Sequence, residues 1–336
     1  MVDVFREVRR VLRKDGTLWL NLGDSYSSGG RETYGTWAPD SKQATHTAIK
    51  SAPRAREQDG IKPKDLIGMP WRIAFALQAD GWYLRQDIIW SKPNPMPESV
   101  TDRCTKSHEY IFLLSKSERY YYDAAAIRDA PSGRTDAIRS FGNNPNRNDG
   151  NSEGWSLDGS VGRNKRSVWE VTTQPFSEAH FATFPPALIE PCIKAGTSSM
   201  GCCGECGTPF RRLNETTPSA ATSETKGTKA ANSPRNDGDG WNSNNGRGFP
   251  QKKITMIGWE PACVCNSSSV KVCTVLDPFA GAGTTGLVAD RLQRNAILIE
   301  LNPNYADMSE RRIVGDAPLF VEVLHARRPD GRSSER

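Results

Sequence analysis

The sequence predicts an α/β fold with a parallel sheet, and the strongest signals for it lie near the C-terminus. An apolar run stops at Asp277 and leads through a glycine-rich turn, 278–283, into a helix. A second apolar run, 296–299, ends at Glu300, about 20 residues after the first glycine of the turn. Strand, turn, helix and strand in this order form half of a nucleotide-binding fold, whose ligands lie at the carboxyl ends of the strands.

The remaining elements follow from hydrophobic periodicity, and they alternate between helix and strand. Helical spacing of apolar residues predicts helices over 2–12, 66–80, 186–194 and 305–314. Apolar or alternating runs predict strands over 17–22, 82–90 and 110–115, with a hairpin partner for the last beginning at 119–122. This alternation is typical of α/β proteins.

Composition limits the classes of protein to which the chain can belong. Its 336 residues suffice for one large domain or two modest ones, and only 36% are hydrophobic, so polar inserts are expected at 128–165 and 213–250. The excess of 44 Lys and Arg over 39 Asp and Glu permits nucleic-acid binding without requiring it. No apolar run is long enough to span a membrane and no signal-peptide core is present. We therefore expect a cytoplasmic protein whose eight cysteines are thiols or metal ligands.

Asp277 bears on which ligand the glycine-rich turn binds. The spacing Gly281-x-Gly283-x-x-Gly286 also fits a dinucleotide site, as in a nicotinamide-dependent oxidoreductase. A carboxylate beside the turn would repel a pyrophosphate and attract a cationic ligand such as S-adenosylmethionine (AdoMet), with its ammonium and sulfonium groups. Glu300 stands where nucleotide-binding folds hold ribose hydroxyls. The alternatives are a dinucleotide site and a glycine turn without a ligand.

Six segments in a telling order resemble the amino-methylating DNA methyltransferases of the permuted (beta-type) kind, in which the catalytic half precedes the AdoMet loop. The segments are 16–26, 82–99, 108–117, 180–193, 276–286 and 297–305. The resemblance implies a Rossmann-like AdoMet-dependent methyltransferase sheet with polar inserts. The organisation it implies is a catalytic half at 1–127, a flexible insert at 128–167, a segment before the AdoMet loop at 168–200, a cysteine-rich insert at 201–270 as a DNA-recognition element, an AdoMet-binding half at 271–316 and a tail at 317–336.

The resemblance also implies roles for individual residues. It places Asp277, Phe279, Gly281 and Gly283 along the methionine part of AdoMet, Thr284 and Thr285 at the helix start, Glu300 on the ribose hydroxyls, Asn302 and Pro303 beside the adenine, and Phe184 and Pro185 on the opposite side. Core packing is the alternative for Phe184 and Pro185, and a solvated strand end is the alternative for Glu300. Lys92 and Asn94 fall on the target-base side, where a strand-terminating turn is the alternative.

The activity that the resemblance implies is site-specific methylation of double-stranded DNA, at N4 of cytosine in preference to N6 of adenine. The target base would be flipped out of the duplex. A cognate restriction nuclease is a candidate partner, and no membrane is involved. The alternatives are a catalytically inactive protein that binds AdoMet and DNA, and the nicotinamide-dependent oxidoreductase.

One part of the family's pattern has no counterpart in the sequence. The family's methyl-transfer loop is a Ser/Asp-Pro-Pro-Tyr/Phe tetrapeptide, and none occurs here; the paired prolines Pro185-Pro186 stand in another position and lack the aromatic residue. In the family this loop comes just before the helix with which the chain opens. We therefore expect a chain truncated at its N-terminus, with unknown catalytic residues, that either lacks methyl transfer of its own or folds poorly.

Four cysteines around the second polar insert have the spacing of a metal site. Cys203 and Cys206 form a C-x-x-C pair before the insert, and Cys263 and Cys265 form a C-x-C pair after it. Four thiolates suit a structural zinc ion, which would tie together the ends of a long loop in a small zinc-knuckle-like insertion. Cys202 could replace Cys203 as a ligand, and free thiols are the alternative.

Overall fold

The computed structural model describes residues 1–27, 60–129, 163–174, 176, 178, 183–218, 252–265, 267–318 and 321–325. The chain forms two compact units: unit 1 comprises Met1–Tyr122, Arg166–Ser199 and Val272–Arg336, and unit 2 comprises Asp123–Lys165 and Met200–Lys271. Unit 2 is thus assembled from two stretches that interrupt unit 1 in the sequence. Most of the two predicted polar inserts lies outside the described residues.

Helices and strands alternate along the described parts of the chain. The helices are α1 (Val2–Val11), α2 (Met69–Ala79), α3 (Pro186–Gly196), α4 (Thr284–Arg291) and α5 (Pro303–Asp316). The strands are β1 (Thr17–Leu22), β2 (Tyr83–Ser91), β3 (His108–Ser115), β4 (Val168–Glu170), β5 (Cys202–Cys203), β6 (Arg211–Pro218), β7 (Lys252–Glu260), β8 (Val270–Lys271), β9 (Thr274–Asp277) and β10 (Asn295–Leu298). None of the described helices has the length and apolar character needed to cross a membrane.

Unit 1 holds a mixed sheet, so the expected parallel pairing is found for some strands and not for others. The strand order is β1-β3-β2-β4; β3 runs antiparallel to both β1 and β2, and β4 runs parallel to β2. Residues 92–107, which join β2 to β3, contain no helix, so the chain turns back on itself, whereas parallel neighbours need a crossover connection. β9 and β10 do pair in parallel, with α4 between them in the sequence. The α/β class itself is confirmed.

β3 is an interior strand of the four-stranded sheet in unit 1 and is covered on both faces. Residues 111–114 are each at most 3% exposed, a continuous buried run without the alternation of a strand that has one solvated face. Phe112 packs in one cluster with Phe5 of α1, and Ile111 packs in a second cluster with Leu188 of α3. Helices therefore cover both sides of the sheet, as expected for an α/β protein.

The hairpin partner predicted to begin at 119–122 is not formed. Tyr121 instead donates its backbone N–H to the carbonyl oxygen of Asp15 at 2.8 Å. Tyr122 stacks on Trp19 of β1, with ring centroids 6.3 Å apart. Aromatic residues are common in strands, but here their rings pack across the sheet from a loop, so the local pattern misled the prediction.

Unit 2 contains a two-stranded antiparallel ribbon formed by β6 and β7, called the ribbon below, in which Arg211 lies opposite Glu260. Arg212 anchors the ribbon by donating from Nε to both carboxylate oxygens of Asp123, at 2.9 and 2.8 Å. Its guanidinium also lies 4.7 Å from the ring centroid of Trp259. The Asp123 side chain is only 5% exposed. Because a buried carboxylate is costly without a partner, this ion pair fixes the ribbon to the segment that begins at Asp123.

Candidate functional site

The turn between β9 and α4 is held at both ends by Asp277. One carboxylate oxygen of Asp277 accepts the backbone N–H of Phe279 at 2.9 Å, and the other accepts the hydroxyl of Thr285. Phe279 lies at the start of the turn, and Thr285 lies in the first turn of the helix. A single carboxylate therefore fixes the path of the backbone between them.

Two glycines allow this turn to pass close to α5. Gly281 (φ 51°) and Gly283 (φ 70°) are left-handed, a conformation that costs other residues about 1–2 kcal/mol. Gly283 is the N-cap of α4, and a Cβ added there would lie 2.6 Å from Cβ of Ser309 in α5. Only glycine permits this approach.

Glu300 links the glycine-rich turn to the start of α5. One carboxylate oxygen accepts the backbone N–H of Gly281 at 2.8 Å, and the other accepts the backbone N–H of Asn302 at 2.9 Å. Asn302 in turn caps α5 by accepting the N–H of Asn304 at 3.0 Å, and Pro303 occupies the first helical position. One acidic side chain thus joins the glycine-rich turn after β9 to the residues that begin α5.

A cavity of about 280 Å³ opens beside this turn. Its lining residues are Thr183, Phe184, Phe279, Ala280, Gly281, Ala282, Thr284, Glu300 and Tyr305. Three of them supply aromatic surface, and Glu300 supplies a negative charge. The volume is near the lower end of the range for small-molecule sites, about 300–1,000 Å³. A ligand with a planar ring and with hydroxyl or cationic groups would match these walls.

The predicted cofactor residues divide into those that line the cavity and those that support it. Phe184, Phe279, Gly281, Thr284 and Glu300 line it. The supporting residues are Asp277, Gly283, Thr285, Asn302 and Pro303, which shape the turn and the helix starts, and Pro185, which is fully buried as the residue before α3. The burial of Pro185 is what core packing requires, and its place beside AdoMet stays a prediction.

Four lining residues were not predicted. Thr183, Ala280, Ala282 and Tyr305 each lie next to, or two positions from, a predicted residue in the sequence. Ala280 and Ala282 alternate with the glycines of the turn, so their small side chains were an available signal. Tyr305 lies in the first turn of α5, which begins at Pro303, two residues earlier than the sequence predicts.

Arg312 of α5 is a further residue of the site that the sequence analysis missed. Its Nη1 donates to the carbonyl oxygen of Ala282 at 3.0 Å and to the hydroxyl of Thr284 at 2.9 Å. The guanidinium lies 4.5 Å from the ring centroid of Phe176, and burial lowers the pKa of Arg312 below its usual value. Through these two hydrogen bonds Arg312 stabilises the positions of Ala282 and Thr284, which line the cavity. A single arginine in a polar helix gives no sequence signal for this role.

The two residues predicted on the target-base side make contacts within unit 1. Lys92 pairs with Glu109, and its Nζ lies 4.3 Å from the ring centroid of Trp90. The Asn94 side chain accepts the backbone N–H of Thr173 at 3.0 Å and donates to the carbonyl oxygen of the same residue at 3.3 Å. Asn94 therefore joins the loops that follow β2 and β4, and its role toward a base remains a prediction.

The four predicted metal ligands come together in unit 2. The sulfur atoms of Cys203, Cys206, Cys263 and Cys265 all lie within 4.8 Å of one another. A hydrogen bond with the Thr208 hydroxyl, 3.2 Å away, lowers the pKa of Cys206 to about 6. Hydrogen bonding with Cys206 raises the pKa of Cys265 to about 12. The cluster thus brings four sulfur donors to one point, which is the donor set of a structural zinc site.

Known proteins resemble this chain over most of its length. The N6_N4_Mtase family model, described as DNA methylase, matches residues 1–203 and 263–311. Type II methyltransferase M.Cfr9I of Citrobacter freundii is 39% identical over 326 residues, which cover 97% of this chain and 74% of that protein. Type II methyltransferase M.SmaI of Serratia marcescens is 38% identical over 314 residues, covering 94% and 73%. Among solved structures, PvuII DNA methyltransferase (cytosine-N4-specific) matches 97% of this chain and 72% of its own, with 15% identity and a TM-score of 0.45.

Proposed function

Because this chain belongs to the DNA methylase family, we propose that it serves the transfer of a methyl group from AdoMet to an exocyclic amino group in double-stranded DNA. When bound, AdoMet supplies a methyl group on a positively charged sulfur to the amino nitrogen of the base, which loses a proton. The residues of this chain bind and orient the donor.

The cavity beside Glu300 is the observation that carries this proposal. Each carboxylate oxygen of Glu300 already accepts one backbone N–H and keeps a second lone pair for a ribose hydroxyl. Phe184 and Tyr305 would hold the adenine ring, and the turn from Phe279 to Gly281 would hold the methionine part. Asp277, just behind the turn, adds negative charge that favours a cationic donor over a pyrophosphate.

Titration with AdoMet and with NAD tests the proposed ligand. We expect AdoMet to bind at one site per chain and NAD to bind at least about tenfold more weakly, a difference of about 1.4 kcal/mol. The sequence contains no Ser/Asp-Pro-Pro-Tyr/Phe tetrapeptide, so binding and not turnover is the primary test. Binding of NAD in preference to AdoMet would overturn the proposal in favour of an oxidoreductase.

We propose N4 of cytosine as the methylated atom, with N6 of adenine as the alternative. This preference rests on the resemblance of the sequence segments. Incubation of DNA with the chain and isotopically labelled AdoMet, followed by digestion and mass spectrometry of the nucleosides, separates N4-methylcytosine from N6-methyladenine. Label in neither nucleoside, together with intact binding of AdoMet and DNA, would establish the second candidate function, that of a non-catalytic AdoMet- and DNA-binding protein. The missing tetrapeptide is the observation that favours it.

We propose that the cysteine-rich insert, 201–270, recognises the DNA target. The family model leaves residues 204–262 unmatched, so this stretch is additional to the part that the family shares. Sequence specificity varies between methyltransferases of one chemistry, and it therefore belongs in a variable element. A cognate restriction nuclease is the proposed functional partner, and protection of DNA from cleavage at the methylated sequence is the matching test.

A further inference from the structure

The two cysteine pairs stand at the borders of the stretch that the family model does not match. Cys203 is the last residue of the first matched segment, and Cys263 is the first residue of the second. Cys206 precedes the ribbon strand β6, and Cys263 follows β7. The four cysteines therefore lie at the open end of the ribbon, beside the start of β6 and the end of β7.

We propose that one zinc ion is bound by Cys203, Cys206, Cys263 and Cys265. The ion would link the segment before β6 to the segment after β7 and so hold the open end of the ribbon together. A tetrahedral zinc ion with bonds of about 2.3 Å to sulfur places its four sulfurs about 3.8 Å apart. The observed sulfurs, all within 4.8 Å of one another, need to move by less than about 1 Å to reach that geometry. Four sulfur ligands leave no open position, so the site is structural and goes beyond the proposed methyl transfer.

The backbone around the first pair is already shaped as a metal knuckle. The N–H of Cys203 donates to the carbonyl oxygen of Thr208 at 2.9 Å, and the N–H of Gly207 donates back to the carbonyl oxygen of Cys203 at 2.8 Å. Gly204 lies so close to Ser269 that a Cβ would be 2.2 Å from the Ser269 hydroxyl. This tight turn holds the two sulfurs of the C-x-x-C pair on one side before any ion binds.

The structure also decides between Cys202 and Cys203. The two residues are neighbours on β5, so their side chains point to opposite faces of the strand. The sulfur of Cys202 lies 3.4 Å from the carbonyl oxygen of Lys271 and is not part of the four-sulfur cluster. Cys203, which is buried, is the ligand. Cys202 therefore provides a matched control, the same residue type one position away.

The described residues of unit 2 give the ribbon little apolar support. A two-stranded ribbon is marginally stable by itself in water. Among the described residues of unit 2, the buried apolar side chains are Ile127, Cys203, Pro209 and Phe210, whereas Ile257 of the ribbon is exposed. Small domains with so little apolar core commonly depend on a metal or on disulfides.

Metal analysis of the full chain, purified under reducing conditions, tests the site. We expect one zinc per chain in the wild type and in Cys202→Ser, and at least about a tenfold lower content in Cys206→Ser and in Cys263→Ser. Should these variants fail to fold, cobalt can replace zinc in the wild type, and a thiolate-to-cobalt charge-transfer band with tetrahedral cobalt absorption is expected. Less than half an equivalent of zinc in the wild type, or loss of zinc in Cys202→Ser, overturns the assignment.

Two further readouts separate a zinc site from other arrangements of the same cysteines. All eight cysteines should titrate as thiols after denaturation in chelator; a count lower by four would mean two disulfides in the cluster and would refute the proposal. Chelation should raise amide hydrogen exchange in Arg211–Pro218 and Lys252–Glu260 at least about tenfold while leaving His108–Ser115 of unit 1 unchanged. Unchanged exchange in the ribbon would refute the fastening role. Neither readout depends on AdoMet binding, so failure of the proposed function would be recognised separately.

Discussion

Glu300 illustrates how a binding residue can also be a structural one. Its carboxylate accepts backbone N–H groups from Gly281 and from Asn302, and it forms part of the cavity wall. A glutamine has only one carbonyl oxygen, and its NH2 group would face one of the two N–H donors. A carboxylate is therefore required at this position, because both of its oxygen atoms accept a backbone N–H and because it carries a negative charge.

We expect Glu300→Gln to weaken AdoMet binding by about 10- to 150-fold, since hydrogen bonds to a charged group contribute about 1.5–3 kcal/mol. Isothermal titration of the purified variant measures this. Glu118→Gln, at an exposed position after β3, is the control and should bind as the wild type does. Equal affinity in Glu300→Gln and wild type would show that this carboxylate does not hold the ligand.

A second prediction for a single residue concerns the contribution of Arg312 to stability. Replacing it with alanine leaves the carbonyl oxygen of Ala282 and the hydroxyl of Thr284 without their donor, so we expect the free energy of unfolding to fall by about 1–3 kcal/mol. Its neighbour Arg311 is exposed and pairs only at the surface with Glu178, at 3.3 Å. Arg311→Ala should therefore change stability by no more than about 0.5 kcal/mol. Thermal unfolding of both variants with and without AdoMet compares them, and equal losses of stability would contradict the supporting role of Arg312.

At the scale of the element, the glycine-rich turn combines a conformational requirement with a steric one, and the chain offers a way to separate them. Gly68 and Gly283 are both left-handed N-caps, with φ of 71° and 70°. A Cβ at Gly68 would meet nothing within 4 Å, whereas a Cβ at Gly283 would lie 2.6 Å from that of Ser309. The two positions share their backbone conformation and differ in crowding.

Gly68→Ala should accordingly lower the free energy of unfolding by about 1–2 kcal/mol through backbone strain alone. Gly283→Ala should lose this amount and a further 1–3 kcal/mol, roughly, because α4 and α5 must move apart. Gly283→Ala should also weaken AdoMet binding, and Gly68→Ala should not. Chemical denaturation and AdoMet titration of both variants measure the difference; equal effects would mean that the approach of α4 to α5 is not tight.

Elements with a complete local signal could be predicted from the sequence, and those that depend on distant contacts could not. β1 has the predicted bounds, Thr17 to Leu22, because glycines enclose a short apolar run. α2 begins at Met69 and not at 66, because Gly68 takes the left-handed cap. The direction of β3 depends on its pairing with β1, far away in the sequence, and with β2, the strand before it, and hydrophobic periodicity encodes neither pairing.

The candidate site follows the same rule. Asp277 and Glu300 could be identified because each is an acid that directly follows an apolar run. The hydrogen bond that joins Glu300 to Gly281 depends on the pairing of β10 with β9, and the contacts of Arg312 with the turn depend on the packing of α5 against α4. Neither contact leaves a local pattern in the sequence, so these supporting interactions required the structure.

At the scale of the whole molecule, the two proposals assign separate tasks to the two units. The cavity of the candidate site lies in unit 1, and the cysteine cluster and the ribbon lie in unit 2. Donor binding and target recognition should therefore respond differently to loss of the metal.

We expect removal of zinc by a chelator to weaken DNA binding by at least about tenfold and to change AdoMet affinity by less than about twofold, because the ribbon loses its fastening while the cavity is unaffected. Fluorescence anisotropy with duplex DNA at one fixed salt concentration measures the first, and titration calorimetry measures the second. Cys202→Ser should behave as the wild type in both. Unchanged DNA binding after complete loss of zinc would show that the ribbon takes no part in target recognition.

The four-sulfur cluster has a consequence for how such a protein can diversify. Cys203 and Cys263 bring the two ends of a 59-residue stretch, 204–262, together at one point. A stretch that departs and returns at the same place imposes no spacing on its host, and the entropic cost of lengthening it grows only slowly. If this stretch recognises the DNA target, as proposed above, replacing it as a single piece would change the target preference and leave the residues of the candidate site in unit 1 as they are.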